Sequence, residues 1–202
     1  MKNATKHADN LKSLYKKLLK EGKPEPKRPV DALRALVMGA LSADVPDNRV
    51  DAAMAVIDKE FVSLNELRVA TELEVISLIG DKYPDIEHRA LVLREMLNHL
   101  FEKEHTLNLD RFKTLGRKEA RAALRELPEI TPYIEAYTML FGFGEPAVPI
   151  DAGMLEVLVA ADAVEPGTSL DDAQKFADAQ VKGDDSYEFY AVLRRAALKR
   201  GK

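Results

Sequence analysis

One acid in this 202-residue sequence is set apart by the chain that leads to it. Ala147, Val148, Pro149 and Ile150 form an apolar arm, and Asp151 stands at its end as a lone carboxylate. A carboxylate so held can stabilise developing positive charge or activate a water. It can also cap a helix beginning near Ala152, a role aspartate favours, and one residue can do both. Glu135 is the only charged residue between Pro132 and Gly142, and it reaches either a lobe boundary or a basic partner. Tyr133 beside it either stacks in a pocket or packs in the core. The four histidines, His7, His88, His99 and His105, show no metal-ligand spacing with acids and read as solvated helix positions, so no metal site is expected. The absence of cysteine excludes disulfides and thiolate-bound metal. Gly142-x-Gly144 is not a nucleotide loop, because no strand precedes it and a helix ends there.

The segment before the arm is apolar nearly all round, which marks a buried central helix. Pro132 suits a first helical position and Thr131 the N-cap, so this helix starts at about Pro132. Gly144-Glu145-Pro146 then stops it. Upstream, Leu11, Leu14, Tyr15, Leu18 and Leu19 form the stripe of an amphipathic helix over 5–21, closed by Gly22. The proline-punctuated GKPEPKRP reads as a linker. Further helices are expected at about 29–42, from about 47 or 48 through Phe61, at 64–70, 72–79, 84–104 and 117–126, then after Asp151, after a cap at Thr168 or Ser169, and near 187–199. No alternating β pattern occurs. The chain is all-α with about ten helices.

With 46% hydrophobic residues it can fill a proper core. No run of about 20 apolar residues exists to span a bilayer, and no secretory h-region is present, so a soluble cytoplasmic protein is expected, with no membrane partner. Net charge is -4, unevenly spread. Residues 1–28 carry nine Lys or Arg against three acids; residues 29–110 carry eight against sixteen. Arg111 to Arg125 holds six basic residues, among them Lys118, Arg121 and Arg125, against Glu119 alone. This stretch is either a solvated helix face or a patch for a polyanion, whose affinity depends on local charge.

The order Leu127-Pro128, hairpin, buried helix, Phe143-Gly144, Pro146, apolar arm, Asp151 resembles the helix-hairpin-helix DNA glycosylases, the endonuclease III-like superfamily. Pro29 to Ala43 resembles the family's first barrel helix and its LSA turn, and Ile79-Gly80, Tyr83, Arg89-Ala90 its IG-x-Y-x-x-K-A segment. The resemblance covers roughly 29 to 160. It implies a two-lobed fold, with a six-helix lobe over 29–145 and a second lobe built from 1–28 and 146–202. It also makes Asp151 the catalytic acid in the groove between lobes, and sets Ile130, Thr131 and Pro132 of the hairpin against DNA phosphate. Cleaving a base–sugar bond develops positive charge on the sugar, and the base must first be rotated into a pocket.

Several positions depart from the family pattern. Where the family's hairpin has glycines, this chain has Glu129 and Thr131, and an acid repels phosphate. The position of the lysine of bifunctional members is Tyr133, so no Schiff base forms and no lyase step is expected. Asp44 stands where a DNA-inserted glutamine is common, the wrong charge for a groove. The family's iron–sulfur cluster is not expected in a chain without cysteine, and no other cofactor is implied. The resemblance therefore implies a monofunctional glycosylase acting on double-stranded DNA with a damaged or mismatched base, cytoplasmic and nucleoid-associated. The alternative is a catalytically impaired member of the fold serving as a DNA-binding or protein-interaction module.

Overall fold

The helix expected from about Pro29 begins three residues later, because the Asp31 side chain accepts the amides of Leu33 and Arg34 and so caps it. In the computed structural model, which describes residues 4–200, this is the second of twelve α-helices, and no strand occurs among the described residues. They are α1 (Ala4–Lys20), α2 (Ala32–Ser42), α3 (Asp47–Glu60), α4 (Leu64–Val69), α5 (Glu72–Ile79), α6 (Ile86–Glu104), α7 (Asp110–Lys113), α8 (Arg117–Arg125), α9 (Pro132–Tyr137), α10 (Ala152–Ala160), α11 (Leu170–Gln180) and α12 (Ser186–Arg200). The single-turn α7 escapes the periodicity reading because four residues are too few to show a period.

α2 is the most buried of these helices and the scaffold for the rest. It packs against α9 and its continuation, and against α3 and α6; α4 and α5 lie on α6. At the other end of the chain α12 receives both α1 and α10. A continuous apolar cluster runs through all of this, from Leu11 of α1 to Leu193 of α12. The linker is not slack. Arg195 donates to Gly22 O at 2.7 Å, Tyr187 OH to Glu25 O at 2.8 Å and Lys27 Nζ to Leu140 O at 3.3 Å, so residues 22–27 are strapped along the surface. His7 also departs from expectation. It is buried, and its Nδ1 donates to Asp162 O at 2.8 Å, pinning α1 to the turn after α10.

The central helix has the expected start. Thr131 Oγ1 accepts the Ile134 amide and Pro132 occupies the first turn. After one and a half turns it changes pitch, continuing as a π-helix over Thr138–Phe143. At the junction Thr138 Oγ1 donates to Ile134 O at 2.9 Å, a back-bond that bends helices. Gly144 closes the segment in the left-handed region, with φ 73°. Gly142 lets it approach α2, since a Cβ there would lie 2.8 Å from Ala32 Cα. Substitution Gly142→Ala must push backbone against backbone, at a cost of about 1–3 kcal/mol. Thermal unfolding should show this as a fall of roughly 2–4 °C in Tm per kcal/mol. An unchanged Tm would mean that the two helices can part freely.

Candidate functional site

The floor of the site is the turn that follows α2. The last carbonyls of a helix lack helical partners, and here those of Ala40, Leu41 and Ser42 are met by side chains from distant elements. Tyr83 OH donates to Leu41 O at 2.9 Å, and Arg89 to Ala40 O and Ala43 O at 2.6 and 2.8 Å. Arg194 of α12 donates to Ser42 O at 3.1 Å and Val45 O at 2.6 Å. The turn so fixed holds Asp44 in the left-handed region, with φ 55°. Its backbone amide donates to Asp151 Oδ2 at 3.1 Å.

Both carboxylates are tied to the start of α10 at this contact. Asp151 Oδ1 accepts the Met154 amide at 2.9 Å and so caps α10. Asp44 carboxylate oxygens accept the amides of Gly153 at 2.8 Å and Ala152 at 3.3 Å. Two acids thus share the amide-rich start of one helix, the end where negative charge is favoured. Asp151 is 4% exposed, and Arg194 Nη1 lies 3.5 Å from its Oδ2. Burial first, then the Asp44 carboxylate, raise Asp151 above the ordinary carboxylate range, against the opposing amides and Arg194. The arm itself is fixed midway, as Val148 N donates to Asp178 Oδ1 at 2.8 Å.

Two cavities share Glu25, Asp47, Tyr187 and Ala191 as a common wall. Asp151, Asp44, Asp47 and Glu156 line an open groove of about 1020 Å³, with Lys23 and Lys199 at its edges. On the other side a cavity of about 350 Å³ is walled by Tyr137, Phe141, Tyr187 and Tyr190, with Arg28, Asp51 and Arg194 among its polar lining. Phe141 stands edge-on to both Tyr187 and Tyr190.

The other residues singled out in the sequence are distributed differently. Tyr133 does not line the aromatic cavity. It is buried, its hydroxyl accepting from Arg194 Nη1 at 3.0 Å and lying within 3.3 Å of Ser42 Oγ and 3.2 Å of Tyr190 OH. Glu135 does find basic partners, since Arg121 Nε is 3.1 Å from it and Arg125 also pairs with it. Arg121 further pairs with Asp178 at 2.6 Å. Arg121 is largely buried in these pairs, whereas Arg125 keeps half of its side chain exposed. A buried acid between α8 and α11 draws them in. Lys118 and Arg117 stay exposed, with no ion pair among the described residues. Asp44, expected against DNA from its place in the turn, is exposed and lines the groove while its carboxylate accepts the α10 amides.

In the hairpin, Glu129 takes φ 57°, so a non-glycine residue keeps the left-handed backbone that glycine would adopt most easily. The amides of Glu129, Ile130 and Thr131 find no acceptor among the described residues. Sequence reasoning missed Arg194, which nothing in its own helix distinguishes. Among the described residues no three His, Asp or Glu side chains converge as metal ligands do, and no helix is long and apolar enough to cross a membrane.

This arrangement, a helical hairpin leading through a buried helix and an apolar arm to one acid, defines a helix-hairpin-helix DNA glycosylase-like fold. Solved structures agree. The chain superposes on an endonuclease III–DNA covalent intermediate with TM-score 0.72 and 13% identity, covering 96% of this chain and 85% of that one. On the Clostridium acetobutylicum 8-oxoguanine glycosylase/lyase bound to double-stranded DNA the TM-score is 0.75 at 18% identity, over 100% of this chain and 72% of that one. On a thermostable thymine-DNA glycosylase it is 0.66 at 15% identity, over 96% and 85%. No family model matches the sequence, and no curated protein matches it. At such identities the likeness establishes the fold.

The raised Asp151 carboxyl has a signed consequence for stability. Ionisation is harder in the folded chain than in the unfolded one, so its contribution is fully present below the unfolded value of about 4 and is lost as pH rises through the folded value. The Tm of the wild-type chain relative to Asp151→Asn should therefore fall between pH 3 and pH 8. A difference that stays flat or grows with pH would show an acid stabilised as its carboxylate.

Proposed function

We propose that the chain is a monofunctional DNA N-glycosylase, with Asp151 as the acid that supports cleavage of the base–sugar bond. The observation that carries this reading is the placement of Asp151: a desolvated carboxylate at the wall of an open groove that adjoins an aromatic-walled cavity of about 350 Å³. Such an acid stabilises positive charge growing on a sugar far better than one in water would. The flipped base would stack among Tyr187, Tyr190 and Phe141. Tyr133 supplies no amine and Arg194 cannot lose its proton, so neither forms a Schiff base and hydrolysis ends at base release. The hairpin amides at Ile130 and Thr131 are available to a phosphate, and Lys118 with Arg117 extends that face. In this reading the groove separates a 29–145 lobe from one made of 1–28 and 146–202, of which residues 1–3 and 201–202 lie outside the described residues. The fold's relatives include complexes with DNA.

A second reading has a specific observation in its favour. The groove lining holds Glu25, Asp44, Asp47, Asp151 and Glu156, and Asp44 already occupies the α10 amides where an incoming anion would be held. A phosphate meets repulsion there. This favours a catalytically impaired member of the fold that binds DNA or a protein through other faces.

The two readings separate experimentally. Fluorescence anisotropy with a labelled duplex at 50 and 200 mM salt should give an affinity that falls at least tenfold if several phosphates are contacted. Duplexes carrying uracil, thymine opposite guanine, alkylated or oxidised bases should then reveal base release, without strand cleavage, that Asp151→Asn abolishes while affinity is kept. Binding without release from any duplex would select the impaired reading, and release surviving Asp151→Asn would move the chemistry to another acid.

A further inference from the structure

We propose that Arg194 is the positioning residue of this site, a fixed cation from α12 that keeps Asp151 a carboxylate and turned toward the groove. The inference rests on reading Asp151 as the working acid. Both side chains are 4% exposed, and a carboxylate in such a place without counter-charge takes up a proton. The groups that face Asp151 make this need acute. From the turn after α2 comes the like charge of Asp44; from α9 comes the neutral phenol of Tyr133, itself backed by Tyr190 of α12; Glu156 lines the same groove from α10. Arg194 is the one cation within ion-pair distance of Asp151 among the described residues.

Its guanidinium has little freedom to leave. Nε donates to Asp47 Oδ1 at 2.7 Å, Nη1 to the Tyr133 hydroxyl at 3.0 Å, and Nη2 to the carbonyls of Ser42 and Val45. A cation with every side anchored needs no reorganisation when charge shifts beside it. Tyr133, at the family's lysine position, offers its hydroxyl to this guanidinium. Positive charge is therefore present beside the acid, carried by a group that is not a nucleophile.

A purely structural arginine would serve the Ser42 and Val45 carbonyls and leave the acid's titration alone. The two roles are distinguished by following the Asp151 carboxyl carbon by NMR across pH in the wild-type chain, Arg194→Lys and Arg194→Gln. An opposite charge within about 4–6 Å lowers a carboxylate by about 1–3 pH units, so Arg194→Gln should raise the Asp151 midpoint by about one unit or more, a tenfold gain in proton affinity. Arg194→Lys, which keeps a charge, should raise it by less than half as much. Equal shifts in both variants, or a Gln midpoint unmoved from wild type, would overturn the proposal. Should Arg194→Gln fail to fold, the wild-type chain supplies the second measurement: the Arg194 side-chain nitrogen resonances must move with the Asp151 midpoint, and flat resonances through that titration refute the coupling. Base release is scored separately on the damaged duplexes. A wild-type chain that releases no base while the Asp151 midpoint still follows Arg194 defeats the glycosylase reading and leaves the Arg194 coupling standing.

Discussion

The C-terminal turn of α2 leaves main-chain oxygens that no helical amide can reach, and the local architecture follows from how they are satisfied. Three side chains from α12, α6 and the loop before α6 converge on residues 40–45. Hydrogen bonds from charged donors contribute about 1.5–3 kcal/mol each, enough to hold Asp44 in a left-handed conformation that costs a non-glycine residue about 1–2 kcal/mol. Once the turn is rigid, its amide reaches Asp151 and its carboxylate reaches α10. Residues more than a hundred positions apart in sequence are thereby locked together.

A second set of charges does the same for the arm. Asp178 of α11 accepts the Val148 amide with one oxygen and pairs with Arg121 through the other. Arg121 in turn lies against the buried Glu135, which Arg125 also meets. The acid in the central helix thus belongs to a chain of ion pairs linking α8, α9 and α11 to the segment that ends at Asp151. Breaking a buried pair by removing one partner leaves the other charge uncompensated, so the buried Glu135 ties Arg121 to the fold, and Arg125 closes the set from a half-exposed position.

The parts of this arrangement written in local sequence were legible. Thr131, Pro132 and Gly144 mark the ends of the central helix by their own chemistry, Asp151 announces both an arm's end and a helix's start, and a lone acid among apolar residues implies a basic partner. The parts that depend on distant residues were not. Arg194 is one basic side chain in an ordinary amphipathic pattern, and its partners lie far off in the chain, from Asp151 back to Ser42. Asp44 looked ill-suited because its charge was judged against DNA; against the start of α10 the same charge is favourable. The linker is recognisable from its prolines and charges, but the hold that side chains from α12 take on its Gly22 and Glu25 carbonyls is not. Tyr133 could stack or pack on sequence grounds, and only the approach of the guanidinium settles its hydroxyl.

The π-helical stretch from Thr138 to Phe143 has an implication for how this sequence tolerates length changes. Each residue of an α-helix turns the chain by about 100° and advances it by about 1.5 Å. A π turn closes i→i+5 bonds where an α turn closes i→i+4, so deleting one residue between Thr138 and Phe143 would let the segment relax to ordinary pitch with the Ala147–Ile150 arm and its terminal carboxylate near their present register. The widened pitch is thus a reserve of one residue, able to take up a change of count between the hairpin and the acid that an α-helix would pass on as a rotation.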